Sequence, residues 1–223
     1  NFFAELAIQR LITSYAVEAQ NHSSTLLDRL KEAQREIDAL TGLAGLVSES
    51  DCSAPPDPKN AFFVWSQTVF ARDRLTSAVE LYDRRCPQVT SRFALNLPEY
   101  TGSGRQPQAV SSCQWDVFGE PLPIGSQKRL VLHAERGICE GSSDGTRSVG
   151  TIVLHLAVDD YRTLPFITSQ SPYFELFRPS QNEAAREVAP GNDVHVAIYG
   201  WGLEPVYTSG LSAWPITEEL FLR

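Results

Sequence analysis

The sequence predicts an α+β fold in which a long N-terminal helix precedes an antiparallel sheet module. Two patterns support this: a heptad-like spacing of apolar residues over residues 26–47, and later stretches in which apolar and polar residues alternate. The alternation is clearest from Gly150 to Ile167, where a β-branched run breaks at an acidic, aromatic turn. We therefore expect this stretch to be the closing strand of the sheet.

Length and composition limit the possible functions. The chain has 223 residues, enough for one large domain or two small ones, and 42% of them are hydrophobic. The net charge of −8 argues against nucleic-acid binding, which needs a basic surface. No apolar run approaches the roughly 20 residues of a membrane span. Methionine is absent, even at position 1, so we expect a processed chain or part of a longer protein.

Residues 1–47 form the predicted long helix, and the main alternative is two antiparallel helices broken at residues 21–24. As one helix it would extend about 70 Å, more than a small domain covers, so we expect it to be a stalk or to pair with a second copy. Replacing Leu30 and Ile37 by Lys should then weaken a homodimer. The seam with alternating spacings of four and three consists of Leu26, Leu30, Ala33, Ile37, Leu40, Ala44 and Val47.

The rest of the chain follows a pattern of short elements. Asp57-Pro58 is typical of a helix start, and a second helix is predicted over residues 59–75. A turn is predicted at residues 121–125 because it is rich in Pro and Gly. Three hairpins and one short strand are expected. The strands are predicted at residues 77–82 and 88–95, 112–118, 127–136 and 149–158, and 193–199 and 204–209.

A weak internal repeat suggests two modules. Val79 to Asp83 aligns with Val196 to Gly200 at an offset that also fits the following strand of each hairpin. We therefore predict three regions: a helix for stalk or dimer formation, a sensor module, and a linker with a second module that is begun or truncated at the C-terminus. Their predicted bounds are 1–50, 51–178 and 179–223.

The four cysteines leave two possibilities open. Cys52, Cys86, Cys113 and Cys139 contain no C-x-x-C pair, which argues against a zinc finger or a thioredoxin-type site. They are either buried thiols or two disulfides formed in an oxidising compartment. If they are bridged, we expect Cys52–Cys86 and Cys113–Cys139.

The layout resembles that of Cache-type, PAS-like extracytoplasmic sensor domains from bacterial sensor histidine kinases and chemoreceptors. The stretches that carry the resemblance are residues 78–83 with 89–95, and residues 149–166. The resemblance implies a ligand pocket between the sheet and its covering loops. It also implies a membrane-anchored parent, an extracytoplasmic or periplasmic location, and a signal that passes along the helix to a cytoplasmic kinase or another output.

The candidate ligand-binding residues combine aromatic, cationic and acidic side chains. Arg92 faces away from the apolar side of its strand and is suited to holding a carboxylate, although a surface Arg is the simpler interpretation. Trp115 beside Asp116 suits a cationic ligand, although a core Trp with an exposed Asp is the simpler interpretation. His133 and His155 on the second hairpin form a pH-sensitive pair or share a metal if they lie opposite one another.

The remaining candidates follow the best strand. Tyr161 and Arg162 come directly after Asp159-Asp160, which is either a cation-binding or a solvated strand end. Tyr173 lies in a short helix predicted to start at Ser171-Pro172. The full set of predicted ligand-binding residues is Arg92, Trp115, Asp116, His133, Tyr161, Arg162 and Tyr173.

The sequence contains no motif that predicts catalysis. Nucleophile-elbow, H-E-x-x-H, P-loop and dinucleotide signatures are all missing. We therefore expect no catalytic residue, metal or cofactor. The function predicted from the sequence is an extracytoplasmic ligand-sensing domain of a transmembrane receptor, most simply a sensor histidine kinase, that binds a small molecule. The alternatives are a non-catalytic interaction module assembled through the helix and, with less support, a secreted hydrolase.

Overall fold

The structure is a computed structural model that describes residues 2–48, 52–86, 88–97, 110, 112–124, 127–142, 145–158, 164, 197–199, 205–208 and 216. The chain divides into two compact units. One consists of residues 23–159, and the other of residues 1–22 together with residues 160–223. The predicted domain bounds of 1–50, 51–178 and 179–223 stay a prediction.

The long N-terminal helix is confirmed as one continuous element. Helix α1 runs from Phe2 to Asp38, 37 residues, and continues through residues 21–24, so the alternative of two antiparallel helices is wrong. At 1.5 Å per residue it is about 55 Å long. It ends earlier than predicted, because a turn containing Gly42 at φ +80° intervenes before the short helix α2, Gly45–Ser48. A left-handed φ of this kind favours glycine and ends the helical run.

The seam of α1 packs inside the chain's own core. Leu30, Ala33 and Ile37 are completely buried, in the same cluster as the sheet residues Val79 and Leu154. One face of a sheet has to be covered by another layer, and the second half of α1 covers this one. The heptad spacing predicted that replacing Leu30 and Ile37 by Lys would weaken a dimer interface. Because both residues lie in the core, the substitution instead tests folding.

A five-stranded antiparallel sheet forms the centre of this unit, in the order β2-β1-β5-β4-β3. The α+β class and two of the three predicted hairpins, β1–β2 and β4–β5, are confirmed. The predicted closing strand is the last in sequence, yet it lies in the middle of the sheet, between β1 and β4. The strands are β1 Ser77–Asp83, β2 Ser91–Leu95, β3 Asp116–Ile124, β4 Gln127–Ser142 and β5 Gly145–Ala157.

The central strand approaches its neighbours closely at Gly150. A Cβ atom at this position would lie 2.4 Å from the Tyr82 carbonyl oxygen and 3.0 Å from a methyl group of Val47. No side chain fits at the first of these distances. Gly150 therefore lets β5 pass beside β1 and α2.

Two other sequence predictions need correction. The helix predicted over residues 59–75 is two helices, α3 Pro58–Ser66 and α4 Val69–Arg72, although Asp57 does cap the first by accepting a hydrogen bond from the Lys59 amide. The turn predicted at residues 121–125 is wrong, because β3 continues to Ile124. Its prolines are tolerated since β3 is an edge strand of the sheet.

Both predicted disulfides are formed. Cys52 is bonded to Cys86, and Cys113 to Cys139, which leaves no free cysteine. The second bond ties the segment before β3 to β4. Each closes a loop of a length at which a disulfide contributes about 2–4 kcal/mol, and the buried-thiol alternative is wrong.

Fewer residues of the other unit are described. It contains residues 2–22 of α1 and an antiparallel pair formed by β6, Ala197–Tyr199, and β7, Pro205–Thr208. This pair confirms the third predicted hairpin, while the second module beyond it stays a prediction. No helix among the described residues is long and apolar enough to span a membrane.

We expect Leu30→Ala to lower the free energy of unfolding by about 2–5 kcal/mol, because it opens a cavity at a completely buried position. Urea denaturation of the purified chain measures this. Gln20→Ala is the matched control on the same helix, since Gln20 is exposed, and should change stability by no more than about 0.5 kcal/mol. Equal effects of the two substitutions would contradict the core position of Leu30.

Candidate functional site

The sheet has two different faces because side chains alternate along each strand. Leu154 and Leu156 of β5 point to the face that packs with α1, whereas Val153 and His155 point to the opposite one. We call this opposite face the second face. Its residues can be identified from the register, because directly paired residues of antiparallel strands share a face.

A row of charged and titratable side chains crosses the second face from one edge strand to the other. Arg92 Nε lies 3.0 Å from Glu80 Oε1, and Glu80 Oε2 lies 3.3 Å from His155 Nε2. His155 Nδ1 then lies 2.8 Å from His133 Nδ1. His133 Nε2 completes the row at 3.3 Å from Glu120 Oε1. We call these five residues the polar row; they come from β2, β1, β5, β4 and β3 in turn.

The polar row is largely buried, and its most exposed side chain, Glu120, is 20% exposed. His133 and His155 are 3% and 6% exposed, and the side chains of Glu80 and Arg92 are 16% and 17% exposed. Buried charged groups are costly unless they are paired, and each of these contacts a group of complementary charge or a hydrogen-bonding partner. The arrangement is therefore a connected network and not a set of separate surface residues.

Glu80 is held in its charged form. Burial raises its pKa, but the contact and charge of His155, the Tyr82 hydroxyl that donates to it at 2.7 Å, and the charge of Arg92 together outweigh that effect. The net result lowers the pKa of Glu80 from its ordinary 4.5 to about 2. Glu80 is thus a fixed negative charge inside the row.

The surroundings of the row are apolar on one side. Phe118 stacks on the His133 ring with centroids 4.9 Å apart and planes 17° from parallel. Buried polar groups next to apolar walls are the usual lining of a small-molecule site. A second apolar cluster on this face consists of Ala78, Leu97, Leu122, Val131 and Ala157.

The paired histidines do not make a complete metal site. Within the described ranges, no group of three or more His, Cys, Asp or Glu residues is arranged to hold a metal ion. His133 and His155 do lie directly opposite one another, so that part of the sequence-based hypothesis is confirmed.

Trp115 lies in a different environment from the polar row. Its indole Nε1 donates to the Asp38 carboxylate at 3.0 Å, and the Arg136 guanidinium, 5.0 Å from the indole ring centre, pairs with the same carboxylate at 2.9 Å. This trio borders an open groove of about 550 Å³ that also contains the Cys113–Cys139 bond. The three side chains contact one another, so Trp115 ties α1 to β4.

The structure brings together some of the predicted ligand-binding residues. Arg92 and His133 belong to the polar row. Asp116 lies on the same face at an exposed position, directly opposite Glu135 in the register of β3 and β4. Trp115 is separate from them. The predicted residues Tyr161, Arg162 and Tyr173 lie outside the described residues.

Sequence reasoning missed Glu80 and Glu120. Glu80 lies on the more polar side of β1, and the alternation of β1 carried that signal, whereas Glu120 directly precedes the residues predicted as a turn. Their contact with the histidines depends on the pairing of β1 with β5 and of β3 with β4, which alternation alone does not specify.

Comparison with known proteins gives no further guide to this site. No protein-family model matches the chain, and no curated protein matches it in sequence.

We expect Glu80→Gln to reduce the free energy of unfolding by on the order of 3 kcal/mol at pH 6. Because the pKa of Glu80 is depressed in the folded state, its ionic contribution is present above pH 4.5 and is lost as the pH falls towards about 2. Denaturation at a series of pH values should show the two stability curves converging on the acid side. Glu140→Gln, at an exposed position, is the control; parallel curves for E80Q and wild type would contradict the assignment.

Proposed function

We propose that the chain is an extracytoplasmic ligand-sensing domain of a transmembrane signalling receptor, of the sensor histidine kinase class, with a PAS-like sheet module. It has no catalysis of its own. The observation that carries the proposal is the buried polar row, Arg92–Glu80–His155–His133–Glu120, on the face of the sheet that α1 leaves uncovered. A structural sheet would be expected to bury apolar side chains at these positions, since burying paired charges gives little stability.

The sheet itself links the row to the long helix. His155 lies between Leu154 and Leu156 in β5, and both leucines belong to the same core cluster as Leu30 of α1. Ligand binding that moves β5 would therefore change the packing of α1, and packed helices shift between discrete arrangements. This is the route by which a site on the second face would reach an output through α1.

The disulfides support the proposed compartment. Two disulfides and no free cysteine suit an oxidising, extracytoplasmic environment, because thiols are kept reduced in the cytosol. A membrane anchor belongs to the proposal through the resemblance to sensor domains.

Thermal unfolding of the purified chain tests the sensing role. The conditions are a panel of amino acids, organic acids, polyamines and divalent cations, each at pH 8 and pH 5. A ligand of the folded state should add about 2.7 kcal/mol of stability at 100 times its dissociation constant. We expect a response that Arg92→Met abolishes and that Lys59→Met, at an exposed position, leaves unchanged. If the stability of the wild type and of R92M responds identically to every condition of the panel, the sensing role of the row is wrong.

A second candidate function is an interaction module that assembles through α1, including the proposed homodimer. It is favoured by the first half of the helix, where large apolar side chains are exposed. Ile8 and Ile12, one turn apart, are 48% and 52% exposed, and Leu6 and Val17 are 39% and 49% exposed. These residues, and not the buried seam, are the part of α1 that a second copy would contact.

We expect the double substitution Ile8→Lys and Ile12→Lys to weaken a homodimer by at least tenfold without unfolding the chain, because both side chains are exposed. Analytical ultracentrifugation over a concentration series measures the dissociation constant, and circular dichroism checks the fold. Lys at Thr13 and Gln20, exposed positions of the same helix, is the matched control for added charge. A chain that is monomeric at all concentrations would contradict this candidate.

A further inference from the structure

The two histidines of the polar row can share one proton. Their Nδ1 atoms are 2.8 Å apart, a hydrogen-bond distance, and a hydrogen bond needs one proton between them. Each ring also has its Nε2 atom 3.3 Å from a carboxylate oxygen, that of Glu80 for His155 and that of Glu120 for His133. A carboxylate in its charged form can only accept a proton, so each Nε2 suits its neighbour when it carries one.

The number of ring protons that fits this geometry is three. Two neutral imidazoles carry two: one lies between the Nδ1 atoms, and the other reaches only one of the two Nε2 atoms. The remaining Nε2 then presents a lone pair to a carboxylate, which is repulsive. A third proton removes that repulsion. A fourth would place two N–H groups against each other at 2.8 Å.

The charges of the row agree with this count. With three ring protons, the histidine pair and Arg92 are the two positive charges that match Glu80 and Glu120. The rest of the face gives no reason to exclude the third proton, since it carries more acidic than basic groups. The titratable and charged side chains that the described strands direct to the second face, besides the two histidines, are Glu80, Tyr82, Arg92, Asp116, Glu120, Arg129 and Glu135.

We propose that the ligand of this site is a proton, so that the domain reports pH through a single proton taken up jointly by His133 and His155. This inference rests on the proposed sensing function and names its ligand. With the proton bound, the row is closed across all five strands; without it, the row is open at one of the two carboxylates. Proton uptake changes the contacts of β4 and β5 on the second face. The side chains of these two strands on the other face pack with α1.

A transition metal held between the two rings fits the distances less well. Two nitrogen ligands of a tetrahedral zinc ion lie about 3.3 Å apart, given bonds of about 2.0–2.1 Å. The observed 2.8 Å is shorter and matches a shared proton. Metal binding is therefore an alternative outcome of the test and not part of the proposal.

Nitrogen NMR of the histidine side chains tests the inference on the intact 223-residue chain. Spectra are recorded from about pH 8 to pH 5, the range in which histidines titrate, with and without added zinc. We expect the two rings to bind one proton between them in a single shared step. His155→Asn keeps a hydrogen-bonding group near the Nδ1 position and should remove this joint step, whereas His22→Asn, in α1, should leave it unchanged.

Amide hydrogen exchange on the same samples tests whether the proton step is transmitted. We expect the protection of β5 and of α1 residues 26–37 to change across the step in the wild type and not in H155N. The inference is overturned if the rings bind two protons independently, if zinc replaces the shared proton, or if the step leaves the protection of α1 unchanged. A small molecule that stabilises the chain through Arg92 in the absence of a joint proton step would overturn this inference and leave the sensing function intact. If the joint proton step is missing and no ligand of the panel stabilises the chain, both this inference and the proposed sensing function are wrong.

Discussion

The pairing of β5 between β1 and β4 is the constraint on which the rest of this unit depends. The two faces of β5 have different roles. Its even-numbered residues Ile152, Leu154 and Leu156 belong to the core that also contains α1, and His155, on the other face, is the centre of the polar row. A register shift of one residue would exchange these sets and bury the histidines against α1. The core and the candidate site are therefore specified by the same strand register.

The polar row is a costly feature for a sheet to carry. A buried ion pair contributes little net stability compared with apolar side chains of similar size, while removing one partner is strongly destabilising. Stability alone would not favour Glu80, His155 and His133 at the middle of a sheet. Connected polar networks in low dielectric do couple their members strongly, and coupling of this kind is what a sensing site needs.

Much of the fold could be predicted from local patterns, because those patterns act over a few residues. The alternation in residues 127–158 identified β4 and β5, and the Asp57-Pro58 pair identified the start of α3. The seam of α1 was correctly recognised as an apolar stripe. Its partner was not, since a heptad spacing is the same whether the stripe packs on a second helix or on the chain's own sheet.

The candidate site could be predicted only in part for the same reason. Arg92 and His133 were selected by their side chain type and face, but Glu80 joins them through pairing between strands about 75 residues apart in sequence. Trp115 was grouped with Asp116 because they are neighbours in sequence. Trp115 directly precedes β3 and meets Asp38 of α1 instead.

A double-mutant cycle between Glu80 and His155 tests the central claim, that the polar row acts as one interacting unit, most directly. It compares the unfolding free energies of the wild type, E80Q, H155N and the double variant at pH 6. The account predicts a coupling energy of at least about 1 kcal/mol, since the two groups are in contact in a buried network. Substitution effects that add within about 0.3–0.5 kcal/mol would show that the two residues are independent and would contradict the account.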